Sequence, residues 1–400
     1  MREWIDTNIV PKIAQWESLG TVPDEVYKAC ATAGLLMPMA AGSKIPKWWA
    51  EKYPVIGGID FEGWNGFHDF IVHDEMTRVG SIGIPNGLIG GVTLCIPAIR
   101  KHGRGKALYG VIDEVLSGDK RISLAVTEPE AGSDVRGILT EAVLSEDKCH
   151  YIVNGQKKWI TAGMYANYFL TLTRTSGDGF TLLVIPKADN VTVRPMEMCG
   201  SSCAGTAFVE FDDAQVPVNY RVGEEGKGLS YIMSNFNHER LFISFQSLRL
   251  ARVCLEDSIG HAITREAFGK RLVDQAVVRF KLANMARETE ALQAWIESLV
   301  YQLDALSEEK AVQLLAGQTA QLKAHSGIVL EKVVSQAIQI MGDLGLTKGG
   351  RGERLERIWR DVKAITIPGG SEDILLDLSV RRALAVFETE NNAGHLSSKI

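Results

Sequence analysis

The spacing of apolar residues changes twice along this chain of 400 residues, and these changes constrain its fold more than any other feature. Residues 1–120 carry apolar side chains three or four positions apart, which predicts helices joined by loops. Residues 121–225 contain short apolar runs separated by Gly, Asp and Pro, a spacing typical of antiparallel strands. Residues 226–385 return to long amphipathic patterns, which predict a helical bundle.

The predicted fold class is therefore α+β, with an N-terminal α-helical domain, a middle antiparallel β-domain and a C-terminal four-helix bundle. These domains correspond to residues 1–120, 121–225 and 226–385, and residues 386–400 form a tail. Within the β-domain, Asn154-Gly155 predicts the turn of a hairpin. The Trp-, Pro- and Gly-rich stretch from Pro46 to Gly66 predicts a surface loop.

Composition and charge exclude several classes of protein. The chain is 46% hydrophobic and 23% charged, and its net charge is −6. It is therefore neither disordered nor suited to binding nucleic acid. No apolar stretch approaches the ~20 residues that cross a bilayer, so we expect no membrane span. The six cysteines are dispersed, which favours a reducing compartment, and Cys199 and Cys203 lack partners at zinc spacing, so we expect no metal site.

Three segments carry residues that suit a ligand. LAVTEPEAGSD, from Leu124 to Asp134, places small hydroxyl residues, Pro and Gly after a strand. Such a turn leaves N–H donors for an anionic or carbonyl-rich ligand, although it could equally be a capped structural turn. The second segment is KKWIT, whose tryptophan could instead belong to the core. The third is REAFGK, from Arg265 to Lys270, whose charges could be those of a solvated helix end.

Taken together and in this order, the motifs resemble those of the acyl-CoA dehydrogenase family. The resemblance covers nearly the whole chain and includes TEPEAGSD, NGQKKWITAG, REAFGKRL, QIMGDLG and PGGSEDILLDL. It implies FAD as the cofactor, an acyl-CoA thioester as the substrate, and a homotetramer, with a homodimer as the alternative. It also implies either electron-transfer flavoprotein or O2 as the electron acceptor.

The resemblance assigns ligand contacts residue by residue. Cofactor-binding positions of the family are matched by Leu124, Val126, Thr127, Ser133, Trp159, Thr161, Arg265, Phe268, Gln339, Gly342, Ser371 and Asp373. Of these, Trp159 and Thr161 match residues that cover one flavin face, and an indole suits a flat, half-apolar ring. Substrate-binding positions are matched by Ser133, Asn237 and Arg240. The family's usual second glycine after Gly342 is Asp343 here.

The expected reaction needs a desolvated carboxylate that removes the proton α to the thioester carbonyl. Many family members carry this base as Glu in a terminal YEGT segment, but here Gly369 stands in that place. A minority carry it on a bundle helix, directly before Arg, and Glu239 in FNHERL matches that position. Glu239 is therefore the expected base, Glu372 is a less favoured one, and Gly369 keeps the backbone N–H that would bind the carbonyl oxygen. The alternative for Glu239 is an ordinary helical carboxylate.

The predicted function is FAD-dependent α,β-dehydrogenation of an acyl-CoA in fatty acid metabolism and β-oxidation, with hydride passing from Cβ to flavin N5. Alternatives are an acyl-CoA oxidase that uses O2, a same-fold enzyme acting on a carrier-bound or CoA-free metabolite, and a non-catalytic flavoprotein scaffold. The unusual Trp48-Trp49 pair and Asp343 leave room for the second. Ser398-Lys399-Ile400 resembles the peroxisomal address Ser-Lys-Leu, so we expect a peroxisomal protein, or otherwise a cytoplasmic one.

Overall fold

The computed structural model describes residues 1–175, 177 and 179–397, so Ser398-Lys399-Ile400 lies outside the described residues. The chain forms two compact units. The first comprises residues 1–72 and 82–236, and the second comprises residues 73–81 and the chain from 237 onward. The predicted boundary at residue 120, between a helical domain and a β-domain, falls inside the first unit.

The first unit begins with short helices. They are α1 (Arg2–Asn8), α2 (Ile13–Leu19), α3 (Asp24–Thr32), α4 (Leu36–Ala41), α5 (Lys47–Ala50), α6 (Gly66–Thr77), α7 (Gly83–Pro85), α8 (Gly91–His102) and α9 (Lys106–Leu116). The last turn of α6, from His73 onward, belongs to the second unit. The stretch from Pro46 to Gly66 is not simply a surface loop. Trp49 and Trp64 are buried there, and the Trp64 indole N–H donates to the Gly42 carbonyl at 2.8 Å. Burial of two large aromatic side chains outweighed the turn-forming residues in this stretch.

One mixed sheet of eight strands completes the first unit. The strands are β1 (Ile122–Ala125), β2 (Glu141–Leu144), β3 (His150–Ile160), β4 (Tyr168–Arg174), β5 (Phe180–Pro186), β6 (Val191–Pro195), β7 (Ala207–Pro217) and β8 (Arg221–Val222). Their order is β6-β7-β3-β2-β4-β5-β8, and β1 pairs with β4. Most pairs are antiparallel, but β1 and β2 each run parallel to β4. Tyr151, Phe169 and Phe211 lie in the buried core of this sheet.

The Asn154-Gly155 dipeptide does not turn a hairpin, because β3 runs through it as one strand. The register of β3 against β7 shifts between Val153 and Gly155 instead. Gly155 has φ +143°, and a Cβ there would lie 2.6 Å from the Thr140 Cα. The glycine therefore marks a bulge and a close backbone approach, which give the same sequence signal as a turn.

Four long helices dominate the second unit and form the predicted bundle. The helices of the second unit are α10 (Gly228–Thr264), α11 (Ala276–Ala305), α12 (Glu308–Met341), α13 (Glu353–Asp361), α14 (Lys363–Thr366) and α15 (Glu372–Ser397), with a hairpin of β9 (Glu266–Ala267) and β10 (Lys270–Arg271). The four long helices are α10, α11, α12 and α15. The first residues of α10 belong to the first unit. Helix α12 packs against α11 and α15. None of the helices in the described part of the chain combines the length and hydropathy that crossing a bilayer requires.

The close contact between α8 and β1 generates a test of the fold. A Cβ on Gly91 would lie 1.6 Å from the Ile122 carbonyl oxygen, so Gly91→Ala must push helix and strand apart. We expect overpacking to cost about 1–3 kcal/mol and to lower the thermal unfolding midpoint, followed by circular dichroism. Gly110→Ala, on α9 with nothing within 4 Å of its Cβ, is the matched control. It should leave stability unchanged or raise it by about 0.5–1 kcal/mol. Equal midpoints for the two variants would contradict the α8–β1 contact.

Candidate active site

Glu239 lies on α10 within the second unit, and its side chain is buried. The residue is 7% exposed, and its Oε2 atom has no hydrogen-bond partner among the described residues. Burial raises the pKa of Glu239 to about 7, although the nearby charges of Arg240, Lys323 and His238 pull it downward. A carboxyl group with this pKa can accept a proton near neutral pH, which suits a general base.

The last residue of α14 and the chain that joins it to α15 form the Gly369 loop, residues 366–371. Gly369 and Gly370 both have positive φ, +73° and +111°. Two buried cationic side chains bond to carbonyl groups of the loop. The Nε of Arg240 donates to the Gly369 carbonyl at 3.2 Å, and the Nζ of Lys323 donates to the Thr366 and Gly370 carbonyls at 2.7 Å each. Side chains of α10 and α12 therefore hold the carbonyl groups of Thr366, Gly369 and Gly370 in place.

The Gly369 loop and Glu239 meet at one point. A Cβ on Gly369 would lie 3.8 Å from Oε1 of Glu239 and 2.6 Å from Cδ1 of Ile243. A side chain at 369 would thus collide with Ile243 and approach the carboxyl group of Glu239. Glu239 therefore lies close to position 369, where the resemblance places the base of many relatives and where this chain has glycine. Among the described residues, the N–H of Gly369 makes no hydrogen bond to the chain, so it remains available as a donor.

In the first unit, the two segments expected to bind the flavin lie side by side. The N–H of Lys158 donates to the Thr127 carbonyl at 2.9 Å, which joins the residues after β1 to the end of β3. Leu124 is half-buried and Val126 is buried. The structure thus brings Leu124, Val126 and Thr127 next to the strand that carries Trp159.

A buried ion pair holds these two segments together. The Nζ of Lys157 lies 2.8 Å from Oε1 of Glu128 and also donates to the carbonyls of Val126 and Leu172. Glu128 further accepts the backbone N–H groups of Leu139 and Thr140, which closes the loop from 128 to 139. Burial lowers the pKa of Lys157 to about 8. Burial alone would raise the pKa of Glu128, but the charge of Lys157 and the N–H of Leu139 bring it below its usual value.

Trp159 fits a flat ligand with polar edges. Its indole is 44% exposed although it belongs to a strand, and the Nζ of Lys158 lies 4.6 Å from the ring centre. Its φ of +59° is an unfavourable backbone conformation for a bulky residue, and such conformations persist mainly at functional sites. Thr161 adds a half-buried hydroxyl group two residues on, and Ser133 lies in the exposed part of the loop. This set of an aromatic face, hydroxyl groups and loop N–H donors suits the isoalloxazine ring of FAD.

The remaining predicted site residues all belong to the second unit, and Ser371 is the last residue of the Gly369 loop. Arg265 and Phe268 belong to the exposed β9–β10 hairpin, with Phe268 97% exposed. Gln339 and Gly342 lie at the exposed C-terminal end of α12. Ser371 and Asp373 flank the first residue of α15, and Glu372 between them is exposed, unlike Glu239.

Asn237 contacts Arg240, because its Oδ1 accepts from Nη1 of Arg240 at 3.4 Å. Sequence reasoning missed the roles of Lys157, Glu128 and Lys323. The first two lie inside quoted motifs. Lys323 could have been found by its position, because it falls on the buried face of α12 at helical spacing from Ala320 and Leu330.

Comparison with known proteins supplies the family. Residues 226–384 match the acyl-CoA dehydrogenase C-terminal domain, and residues 123–214 match the middle domain. The chain is 41% identical to acyl-CoA dehydrogenase apdG of Emericella nidulans, covering 97% of this chain and 90% of that protein. It is 36% identical to acyl-CoA dehydrogenase AFT10-1 of Alternaria alternata, covering 95% and 89%. A probable acyl-CoA dehydrogenase structure from Mycobacterium abscessus is similar with a TM-score of 0.85 at 31% identity, covering 96% of each chain.

The chain therefore belongs to the acyl-CoA dehydrogenase family. It is a flavin-dependent oxidoreductase, and its cofactor is FAD. The resemblance of the motifs and the predicted α+β fold class are confirmed. Within the first unit, the residues around Trp159 fit the cofactor that the family requires.

The buried Lys157–Glu128 pair gives a test of how the flavin-binding segments are held. Lys157→Met leaves the carboxylate of Glu128 buried without its cation, which should cost about 3–5 kcal/mol. We expect a lower thermal midpoint and weaker FAD retention, measured by absorbance after gel filtration. The double variant Lys157→Met/Glu128→Gln removes the buried charge and should recover part of the stability. Lys187→Met, at an exposed position just after β5, is the control; a loss as large as that of Lys157→Met would contradict the assignment.

Proposed function

We propose that this chain dehydrogenates an acyl-CoA thioester between Cα and Cβ, with Glu239 as the base that removes the α-proton. One observation carries the proposal. The carboxyl group of Glu239 is buried, its Oε2 is unpartnered among the described residues, and its Oε1 lies 3.8 Å from where a side chain on Gly369 would begin. The alternative of an ordinary helical carboxylate predicts a bound cation or an exposed group, and neither is found at Oε2.

Enolising a thioester requires a base for the α-proton and a hydrogen-bond donor for the carbonyl oxygen, and two different residues supply them here. The carboxylate of Glu239 takes the α-proton, which is most effective when its pKa lies near the working pH. The N–H of Gly369 donates to the thioester oxygen as negative charge develops there. Arg240 and Lys323 bond the carbonyls of Thr366, Gly369 and Gly370, which fixes the peptide units on both sides of the Pro368–Gly369 unit that carries this N–H. FAD, when bound, accepts the hydride that leaves Cβ.

Glu239→Gln tests the base directly. We expect the variant to retain FAD and to lose reduction by acyl-CoA by at least about 10³-fold, because Gln cannot take the proton. Folding is checked by the thermal midpoint at about pH 8. The raised pKa means that Glu239 favours folding at low pH and loses that contribution as the pH rises from 4.5 to about 7. Glu239→Gln should therefore be more stable than the parent at alkaline pH.

The matched control is Glu372→Gln, which changes an exposed carboxylate close to the Gly369 loop in sequence. It should reduce its flavin normally. The substrate for both is found by anaerobic titration with a panel of saturated acyl-CoAs, observing flavin absorbance. Full activity of Glu239→Gln would refute the assignment of the base. A flavoprotein that no acyl-CoA bleaches would favour a carrier-bound or CoA-free substrate, or a non-catalytic scaffold.

We propose a dehydrogenase that passes electrons to electron-transfer flavoprotein, with an acyl-CoA oxidase as the alternative. The family to which the chain belongs supports dehydrogenation in general. The distinguishing measurement is hydrogen peroxide production with O2 as the sole acceptor. Peroxide formed at the rate of substrate turnover would establish the oxidase instead. A role in β-oxidation of fatty acids would require a saturated straight chain among the substrates that bleach the flavin.

We propose self-association, as a homotetramer or a homodimer. Support comes from exposed apolar side chains spaced along one side of α15, namely Leu376, Val380, Leu384 and Phe387. Light scattering of the FAD-loaded protein tests this, and a monomer at micromolar concentration would refute it. Peroxisomal localisation stays a prediction that rests on Ser398-Lys399-Ile400. Imaging of the chain with and without these three residues would test it.

A further inference from the structure

The side chain of Lys323 lies close to both parts of the proposed catalytic machinery, Glu239 and the Gly369 loop. Lys323 lies on α12 and is 1% exposed. A Cβ on Gly369 would lie 3.7 Å from the Cε of Lys323 and 3.8 Å from Oε1 of Glu239. The lysine, the base and the N–H donor therefore surround one point, although each belongs to a different segment of the second unit.

Lys323 fixes the Gly369 loop at both ends. Its Nζ donates to the carbonyl of Thr366, which ends α14, and to the carbonyl of Gly370, each at 2.7 Å. Arg240 holds the carbonyl of Gly369 between them at 3.2 Å. The bonded carbonyls belong to the peptide units 366–367, 369–370 and 370–371, which lie on both sides of the Pro368–Gly369 unit that carries the Gly369 N–H. Fixing these units restricts how the Pro368–Gly369 unit can turn.

Burying a lysine at this position is unfavourable for folding, so its positive charge needs an explanation. Burial of an ammonium group is unfavourable, and here burial lowers the pKa of Lys323 to about 8. Two carbonyl groups could be satisfied by a neutral amide, which also has two N–H donors. What an amide lacks is a positive charge beside Glu239. The positive charge is what distinguishes lysine from a neutral amide side chain.

We propose that Lys323 is a positioning residue that sets the basicity of Glu239 and the orientation of the Gly369 N–H. The inference rests on the proposed role of Glu239 in catalysis. It adds that one buried cation adjusts the base and holds the N–H donor, so that both change together when the cation is removed.

Other charged groups near Glu239 must be considered as well. His238 and Arg240 precede and follow it on α10, and Arg240 stays in place in the variants below. The ring centre of His73 on α6 lies 6.4 Å from that of His238. From the region of α15, Glu372 acts on Lys323 and Arg382 acts on Arg240. A variant that changes Lys323 alone therefore measures the effect of the Lys323 charge on Glu239.

The test is a pH titration of Glu239 by infrared difference spectroscopy of the FAD-loaded protein, which needs no substrate. The carboxylic acid band of Glu239 is assigned by its loss in Glu239→Gln. Lys323→Gln keeps two donors and removes the charge. We expect the midpoint of the band to rise by about one pH unit, the effect of losing an opposite charge nearby. Lys332→Gln, an exposed lysine on the same helix paired with Glu288, should leave the midpoint unchanged.

Flavin reduction by the best acyl-CoA of the panel gives the second readout. At pH values below the midpoint, Lys323→Gln should reduce its flavin about tenfold more slowly, because a pKa rise of one unit lowers the ionised fraction tenfold. Its substrate dissociation constant should be close to that of the parent. An unchanged infrared midpoint in Lys323→Gln would overturn the inference.

If Lys323→Gln yields no soluble flavoprotein, Lys323→Arg is the second variant. It keeps the charge, but its longer, planar guanidinium group cannot occupy the position of the Lys323 Nζ between the two carbonyls. The infrared midpoint should therefore stay within about half a unit of the parent while kcat falls. A midpoint that moves up by a full unit in Lys323→Arg would contradict the electrostatic role. Because the band is measured without turnover, failure of Glu239 as the base appears separately, as retained activity in Glu239→Gln.

Discussion

The reaction proposed for the second unit depends on the carboxyl group of Glu239, which is buried and has no hydrogen-bond partner at Oε2 among the described residues. Holding Glu239 ionised there costs roughly 3 kcal/mol relative to water, given that its pKa rises from 4.5 to about 7. The charges of Lys323, Arg240 and His238 limit this cost without neutralising the carboxylate through a salt bridge. The result is a base that is strong enough to accept a carbon-bound proton and still ionised near neutral pH. Stability is given up at the site where reactivity is needed.

In each unit, a buried lysine holds a loop that carries proposed ligand-binding groups. In the first, Lys157 is buried and donates to the carbonyls of Val126 and Leu172 while paired with Glu128. In the second, Lys323 is buried and donates to two carbonyls of the Gly369 loop. A lysine has three donors on a flexible stem, so it can bind backbone groups from different segments at once. Loops that carry ligand-binding groups thereby gain the rigidity of the sheet or the bundle beneath them.

Much of this architecture could be predicted from the sequence, because it depends on periodicity. The change from helical to strand spacing near residue 121 and back near 226 identifies the sheet and the long helices. The Asn154-Gly155 hairpin was wrong because glycine serves a bulge as well as a turn. The buried Trp49 and Trp64 were missed because composition alone does not show which aromatic residues face a core. At the site, Glu239 was proposed as the base from its neighbour Arg240 and the absence of a carboxylate at Gly369, and the structure shows that its side chain is buried. Lys323 was missed because a single lysine in a helix does not show by its identity that it is buried.

The central claim is that Glu239, and no other carboxylate, removes the α-proton. Proton removal can be measured apart from oxidation by incubating an acyl-CoA in D2O with the enzyme already chemically reduced under anaerobic conditions. Deuterium incorporation at Cα, followed by mass spectrometry, then reports the base alone. The account predicts exchange in the parent and in Glu372→Gln and its loss in Glu239→Gln. Exchange at the parental rate in Glu239→Gln would contradict it.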